Sequence, residues 1–250
     1  MSENPPLKVP LNKGSKAASE GAAKDTRNTY VQLIEAAERL FGQRGLDGVT
    51  LKEITRAAGQ RNESALHYHF GSKRKLVQAI FAYRGERIDR RRVALLDELE
   101  RDGKLDDLRA VIEATMRPVA EQMRQPDGHS FILFAAQIAN DPASDIPAGA
   151  AHSPLQGIQR ANDLLGAILG DLPPDILRLR LRALIELTFS TFSTWLRTQS
   201  GNAHQAVRHT PEAHALFVSN FIDSLAAMMS APLSPQTKRA LKQFSQDNGP

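Results

Sequence analysis

The stretch from Thr50 to Lys75, TLKEITRAAGQRNESALHYHFGSKRK, constrains the fold of this chain more than any other. Thr50 and Glu53 have the T-x-x-E spacing of a capping box, in which each side chain satisfies a backbone donor at a helix start. Apolar residues then recur at helical spacing, at Leu51, Ile54 and Ala58. Gly59 follows, and glycine favours the left-handed conformation that ends a helix. A first short helix is therefore predicted between Thr50 and Gly59.

A second short helix is predicted from Ser64 to Phe70. Leu66 and Phe70 are four residues apart and therefore share its inward face. The outward side chains are Ser64, Ala65, His67 and Tyr68. Gly71 ends this helix, and Ser72 has the side chain to cap the next one. Two short helices joined by a tight turn predict a helix-turn-helix, whose second helix enters the major groove of DNA.

Three segments resemble the tetracycline-repressor (TetR) family of bacterial regulators: FGQRG at 41–45, VTLKEITRAAG at 49–59 and ALHYHFGSKRKL at 65–76. The resemblance covers about residues 27–80. It implies an all-α protein, with an N-terminal three-helix DNA-binding domain followed by a helical domain that binds an effector and dimerises. The chain departs from the family at Gln60, where a small apolar residue is usual, and at His67, where Tyr is most frequent.

Contact with double-stranded DNA is expected along the outward face of the second helix and its flanks. Ser64 and Ala65 are expected over base edges, Tyr68 over bases or backbone, and Lys73 at a phosphate. The full predicted set is Arg27, Thr50, Arg61, Asn62, Glu63, Ser64, Ala65, His67, Tyr68, His69 and Lys73. A dimer would place two such helices about 34–36 Å apart, on a near-palindromic operator.

The charge distribution agrees with a DNA-binding segment at the N-terminal end. Residues 1–92 carry 18 Lys and Arg against 10 Asp and Glu, whereas residues 93–250 carry 14 against 18. A basic segment joined to an acidic remainder is typical of a DNA-binding module fused to a domain that stays off DNA.

Several classes of function are disfavoured by the sequence. The chain has no cysteine, which fits a reducing cytoplasm, and no apolar run long enough to span a membrane. His67 and His69 are two residues apart, so they point to different faces of a helix and cannot share a metal. No acid, base or nucleophile pairing is evident, so an all-helical enzyme is a poor hypothesis. We expect a cytoplasmic protein without a cofactor or metal.

Four regions are predicted along the chain. Residues 1–24 are predicted to form a disordered basic tail, because they are rich in Pro, Ser, Gly, Ala and Lys and show no periodicity. Residues 25–72 form the helix-turn-helix domain, and residues 73–230 form the helical effector-binding and dimerisation domain. Residues 231–250 read as a mostly flexible tail, with a marginal turn after Ser234.

Two helices, at residues 175–198 and 211–230, are apolar nearly all round and are therefore expected to be covered on every side. A homodimer in which both subunits contribute these helices accounts for the surplus apolar surface, and the resemblance implies the same. The predicted dimer contacts are Leu181, Ile185, Phe217, Phe221, Leu225 and Met228.

A site for a small, largely apolar effector is implied by the resemblance. Its candidate residues are Met116, Phe131, Phe134, Arg182, Glu186, Phe192 and Trp195, with Thr194 as a further polar group. Core packing is the alternative for each apolar candidate, and a salt bridge four residues apart is the alternative for Arg182 and Glu186. The leading hypothesis is an effector-released dimeric repressor. The alternative is a ligand-independent architectural or partner-recruiting DNA-binding factor.

Overall fold

The computed structural model describes residues 14–60, 64–139, 155–198 and 210–247, with side chains described except at 14–27, 64, 65, 245 and 247. Every regular element in those ranges is helical, which confirms the all-α prediction. The chain divides into two compact units, Met1–Phe81 and Ala82–Pro250. Within the described ranges no single helix has the length and apolar character to cross a membrane. One bent pair, Pro211–Ser230 with Pro235–Phe244, meets that test by length and composition alone.

The first unit contains α1 (Gly14–Arg44), α2 (Leu51–Ala57), α3 (Ser64–Phe70) and the first residues of α4 (Lys73–Arg101). Its core is apolar and fully enclosed. The core residues include Leu33, Ile34, Ala37 and Phe41 of α1, Ile54 of α2, Leu66 and Phe70 of α3, and Leu76 and Ile80 of α4. The three predicted helices of the DNA-binding module are therefore present and pack on one another.

The start of α1 differs from the prediction. Apolar spacing predicted a start near Asp25 and a disordered tail before it, whereas α1 begins at Gly14. Residues 14–24 of the predicted tail are thus helical, and residues 1–13 lie outside the described residues. The segment GSKAASEGAAK has four Ala, two Lys and one Glu among its 11 residues, and these residue types have high helix propensity. A helix extends beyond its buried stripe when such residues continue it.

In the described ranges, the second unit is built from the rest of α4 and six further α-helices. These are α5 (Leu108–Ala120), α6 (Pro126–Ala139), α7 (Gln156–Ile168), α8 (Pro174–Thr198), α9 (Pro211–Ser230) and α10 (Pro235–Asp247). A 3-10 turn, Glu121–Arg124, separates α5 from α6. The closest helix pairs are α6 with α8, α5 with α9 and α5 with α7.

Arginines of α4 hold this helix against its neighbours in the second unit. Arg84 donates to Oδ2 of Asp127 at 2.8 Å, and Arg92 donates to the backbone oxygen of Thr115 at 3.2 Å. On the acidic side of α4, Asp97 accepts a 2.5 Å hydrogen bond from Arg160 of α7. The arginine-rich segment of α4 therefore has structural partners of its own.

Residues 235–247 form a helix where a mostly flexible tail was predicted. Ser234 caps it, because its hydroxyl accepts a 3.1 Å hydrogen bond from the backbone of Thr237. Pro235 then occupies the first helical position, which proline tolerates well. These start signals outweigh the polar composition of the segment, so the helix extends well beyond the marginal turn predicted after Ser234.

Candidate nucleic-acid interface

Helix α3 presents one apolar and one exposed face, as its sequence predicts. Leu66 and Phe70 are buried, whereas the Tyr68 side chain is 82% exposed and His67 is exposed beside it. Burial of the two apolar side chains fixes the rotation of α3 about its axis. An aromatic side chain with that much exposure has an apolar ring and a hydroxyl available to a partner. The exposed face of α3 is the centre of the candidate interface.

Tyr30 of α1 packs against the C-terminal end of α3, at Phe70 and His69. Its ring stacks on Phe70, with centroids 5.0 Å apart and planes at 30°. It also meets the edge of His69, at a centroid distance of 5.8 Å. His69 is therefore half-buried between Tyr30 and Tyr68, whose ring lies 5.3 Å away on the exposed side. Of the predicted contacts on α3, His67 and Tyr68 are the exposed side chains.

The turn between α2 and α3 starts at Gly59, whose φ of 70° lies in the left-handed region. Gln60 follows, and its side-chain amide donates to Oε1 of Gln32 in α1 at 2.9 Å. Its backbone N–H donates to the carbonyl of Thr55 at 3.0 Å. A polar residue at position 60 thus ties the turn to α1. The sequence identified Gln60 as unusual but had no means to identify Gln32 as its partner.

The predicted capping box at the start of α2 is present. The backbone N–H of Thr50 donates to Glu53 at 2.8 Å, and the backbone of Glu53 donates to the Thr50 hydroxyl at 3.2 Å. Arg44, the last residue of α1, adds a 2.7 Å ion pair to the same carboxylate. The backbone donor of Thr50 and the Arg44 guanidinium lower the pKa of Glu53 to about 2. The exposed Thr50, a predicted DNA contact, therefore has a fixed position.

Lys73, predicted at a phosphate, is engaged within the first unit. Its Nζ donates to the carbonyl oxygen of Leu46, in the α1–α2 turn, at 2.9 Å, and the side chain is half-buried. Ser72 caps α4 as predicted, because its hydroxyl accepts from the backbone of Lys75 at 3.2 Å. Arg74 and Lys75 are exposed in the same turn of α4.

Six predicted DNA contacts have no described side chain. Arg61, Asn62 and Glu63 lie outside the described residues, and Arg27, Ser64 and Ala65 lie in helices whose side chains are not described at those positions. Their roles remain predictions. In the described part of the chain, no group of three or more His, Cys, Asp or Glu side chains is arranged to hold a metal ion.

Most of the apolar effector candidates are core residues of the second unit. Met116, Phe131, Phe134 and Phe192 are all buried. Arg182 and Glu186 form the salt bridge considered as their alternative role, with Nε and Oε1 2.6 Å apart. For these two charged residues the local ion pair explains their presence in an apolar helix.

A cleft of about 300 Å³ lies beside Trp195, the remaining candidate. Its lining comes from α8 and α9: Ser190, Thr191, Thr194, Trp195, Thr198 and Phe217. The Trp195 ring stacks on Phe217 with centroids 4.0 Å apart and planes at 17°. Among the residues that the structure describes, hydroxyl groups and two aromatic rings line the cleft, and no charged side chain does.

The predicted dimer contacts differ in how far they are buried within their own chain. Leu225 is buried within its own chain, so it has no surface left for a second subunit. The others are partly exposed: Leu181, Ile185, Phe217, Phe221 and Met228. The most exposed large apolar residues of α8 and α9 are different ones, Leu179, Leu187 and Leu216. Sequence periodicity did not separate these two groups, because both helices carry apolar residues on several faces.

Comparison with known proteins places the similarity on the first unit. Residues 33–80 match the family described as bacterial regulatory proteins, tetR family. The chain is 43% identical over 56 residues to the HTH-type transcriptional regulator TtgR of Pseudomonas putida, and equally to the probable HTH-type transcriptional regulator ArpR of the same species. Those matches cover 22% of this chain and 26% of each relative, so the chain spans about a quarter of their length.

A longer match is to the HTH-type transcriptional repressor AcnR of Corynebacterium efficiens, at 22% identity over 180 residues. It covers 69% of this chain and 86% of that protein. The family match coincides with the helices that carry the exposed Tyr68 and the capped start of α2. Residues 33–80 are thus similar to the tetR family of bacterial regulatory proteins, and α2 and α3 form a helix-turn-helix within the matched segment.

Proposed function

We propose that this chain is a dimeric transcriptional repressor that binds a near-palindromic operator through α3 and is released by a small-molecule effector. The observation that carries the DNA contact is the exposure of Tyr68 and His67 on a helix whose opposite face is locked into the core by Leu66 and Phe70. A rigid helix with an exposed polar and aromatic face has the form of a major-groove reader.

The fixed geometry of the first unit supports this role. Glu53 joins Thr50 to Arg44, and Gln60 joins the interhelical turn to Gln32. Contacts of this kind hold a recognition element in place before DNA arrives, so less conformational entropy is lost on binding. Phosphate contacts then fix the position of the protein on DNA, and base contacts select the sequence.

A second copy of the chain is the partner proposed for α8 and α9. Leu179, Leu187 and Leu216 expose large apolar side chains to solvent on these two helices, and Leu216 is 72% exposed. Contiguous exposed apolar patches mark association surfaces, and we propose that these side chains contribute to one. The names of the relatives say nothing about assembly, so the proposal rests on this exposure and on the family resemblance.

The cleft beside Trp195 is the proposed effector site. Its lining of hydroxyls and aromatic rings suits a small, uncharged and largely apolar molecule. Its walls belong to α8 and α9. An effector releases DNA only if it binds the non-binding conformation more tightly.

The test starts with selection of bound sequences from a random DNA pool, followed by affinity measurements on the selected operator. Tyr68→Ala should change the preferred sequence, since an exposed recognition-helix side chain is lost. Tyr83→Ala, which also removes an exposed tyrosine but lies outside the helix-turn-helix, is the matched control. Unchanged affinity and preference in Tyr68→Ala would exclude α3 as the reading helix.

The burial of Met116, Phe131, Phe134 and Phe192 favours the alternative of a ligand-independent DNA-binding factor. Trp195 is the only tryptophan, so its fluorescence separates the two proposals. Under the repressor proposal, some apolar molecule changes Trp195 emission and weakens operator binding over the same concentration range. A broad ligand screen that never weakens operator binding would favour the alternative.

A further inference from the structure

Helix α7 lacks a capping side chain of its own. Its N-cap residue is Leu155, which makes no side-chain hydrogen bond to the helix start. Asp89 of α4 supplies the missing acceptor from 68 residues away. Its Oδ2 accepts from the backbone of Gly157 at 2.8 Å, and its Oδ1 accepts from the backbone of Ile158 at 2.9 Å. A carboxylate on two first-turn N–H groups is also favoured by the helix dipole.

Arg92 completes this arrangement from one turn further along α4. Its Nη1 donates to Oδ1 of Asp89 at 2.6 Å, and its Nε donates to the carbonyl oxygen of Thr115 in α5 at 3.2 Å. Both side chains of the ion pair are buried, with 7% exposed in each. Burial lowers the pKa of the Arg92 guanidinium, and the Asp89 partner opposes that change. One charged pair thus joins α4, α5 and the start of α7.

Small residues bring α7 close to α4 at this point. A Cβ atom added to Gly157 would lie 2.8 Å from Oδ1 of Asp89 and 3.1 Å from its backbone oxygen. A Cβ atom added to Gly85 of α4 would lie 2.9 Å from Cδ1 of Leu155. The first turn of α7 therefore rests on α4 without room for another atom. By contrast, a Cβ atom added to Gly166, later in α7, meets nothing within 4 Å.

The first turn and the rest of α7 are held by different forces. Ala161 and Leu165 are buried in the apolar core of the second unit, where Ala161 packs with Leu96 and Ala114. The first turn is held by two backbone hydrogen bonds to the Asp89 carboxylate. Their net contribution to stability is modest, because they replace hydrogen bonds that the same groups make to water when exposed. Opening the first turn rehydrates both charges and leaves the apolar core intact, so its free-energy cost is a small part of that of global unfolding.

We propose that Asp89 and Arg92 form a catch on α4 that opens and closes on the first turn of α7, and that its two states differ in affinity for DNA. Packed interfaces of buried charges favour two discrete arrangements over a gradual deformation. The closed state is the one described above. In the open state the backbone amides of Gly157 and Ile158 lose their hydrogen bonds to Asp89 and become accessible to water. The part that concerns DNA rests on the proposed function, whereas the existence of the catch does not.

Hydrogen exchange of the backbone amides in the free, full-length protein tests the catch itself. Gly157→Ala should open it by steric contact with Asp89, with no change in charge. The Ile158 amide should then exchange about tenfold faster or more after correction for intrinsic rates, while the Leu165 amide changes little. Gly166→Ala is the matched control in the same helix and should leave both amides as in the wild type. Asp89→Asn should also expose Ile158, since it removes the partner of Arg92.

Two results would overturn the catch. One is unchanged exchange at Ile158 in both Gly157→Ala and Asp89→Asn. The other is an equal acceleration at Ile158 and Leu165, which would mean that the contact is only part of global stability. Neither result depends on DNA, so both apply even if the chain has no operator.

Operator DNA, selected as described above, tests the coupling. Binding is reciprocal: if opening the catch changes operator affinity by some factor, bound operator changes the opening equilibrium by the same factor. We expect Gly157→Ala to change operator affinity about fivefold or more, and bound operator to change Ile158 exchange in the wild type to a similar degree. The coupling would be overturned if Gly157→Ala had the operator affinity of the wild type and saturating operator left Ile158 exchange in the wild type unchanged. If the wild-type protein binds no selected DNA, the proposed function is wrong. The existence of the catch is then judged from the hydrogen-exchange data alone.

Discussion

The carboxylate of Glu53 lies 2.7 Å from the Nη1 atom of Arg44, and this ion pair joins the end of α1 to the start of α2. The same carboxylate accepts the backbone N–H of Thr50, which begins α2. Arg44 also donates to the backbone oxygen of Gly48 in the intervening turn. One side chain at position 53 thus organises the path of the chain into the helix-turn-helix.

The first prediction concerns Glu53 and pH. Its pKa in the folded protein is about 2, below the ordinary value of 4.5, so its stabilising effect is complete above pH 4.5. The effect should be lost as pH falls from 4.5 towards 2, because the unfolded state, in which Glu53 has the higher pKa, then binds a proton that the folded state does not. Glu53→Gln should therefore lower the urea midpoint at pH 7 and have a smaller effect at low pH.

Glu35→Gln, a change at an exposed position of α1, is the control for Glu53→Gln. It should leave the urea midpoint nearly unchanged at both pH values, as most exposed substitutions do. A Glu53→Gln protein with an unchanged midpoint at pH 7 would show that the capping box and ion pair add nothing measurable.

The second prediction separates two roles of Lys73. Its Nζ donates to the carbonyl of Leu46, so Lys73→Ala should lower the free energy of unfolding by about 1 kcal/mol, as expected for one hydrogen bond from a partly exposed charge. Lys75→Ala removes an exposed cation from the same turn and should leave stability unchanged. If Lys73 also touches a phosphate, its removal should reduce the salt slope of operator binding by about one. Thermal unfolding and salt titrations measure the two effects independently.

The third prediction distinguishes the subunit core from the dimer surface. Leu225 is 1% exposed and Leu216 is 72% exposed on the same helix. Leu225→Asp buries an unpaired charge and should unfold the subunit. Leu216→Asp should leave a folded subunit whose sedimentation shows half the mass of the wild type. A folded dimer in Leu216→Asp would place the dimer contact elsewhere.

Phe221→Asp is a less informative probe of the same surface. The Phe221 ring lies 5.3 Å from the buried ring of Phe192 and 6.3 Å from Phe217, so it packs within its own chain. Its replacement by Asp should therefore destabilise the subunit as well as any dimer, because a charge would face apolar rings. Circular dichroism combined with sedimentation would reveal both effects.

The fourth prediction concerns the indole of Trp195. Phe217 stacks on it at 4.0 Å, so Phe217→Ala should shift Trp195 emission to longer wavelength by admitting water. Loss of the aromatic pair should also cost about 0.5–1.5 kcal/mol of stability beyond the lost buried area. Phe244→Ala, on the exposed side of α10, is the control and should leave the emission unchanged. An unshifted emission maximum in Phe217→Ala would mean that the ring does not cover the indole in solution.

The helix-turn-helix was predictable from sequence because its signals are local. Thr50 and Glu53 are three residues apart, Gly59 adopts the predicted left-handed conformation, Gly71 ends α3 as predicted, and Leu66 and Phe70 lie one turn apart on the buried face. The Arg182–Glu186 pair was predictable for the same reason, since residues four apart are neighbours on a helix. Each of these contacts is determined by backbone geometry over a few residues.

Contacts between distant residues were decided by the tertiary structure. Nothing in the sequence around Leu155 indicates that its helix is capped by Asp89, because the two are joined only when α7 packs on α4. The turn at Gln60 depends in the same way on Gln32.

The apolar candidates Met116 and Phe192 show the same limit of sequence reasoning. A helix that is apolar all round does not reveal which face meets the core and which meets a partner or ligand. Local propensity and periodicity therefore determined the helices and the helix-turn-helix of this protein. Only packing between helices decided which side chains are buried, which are exposed, and which charge caps a helix far away in sequence.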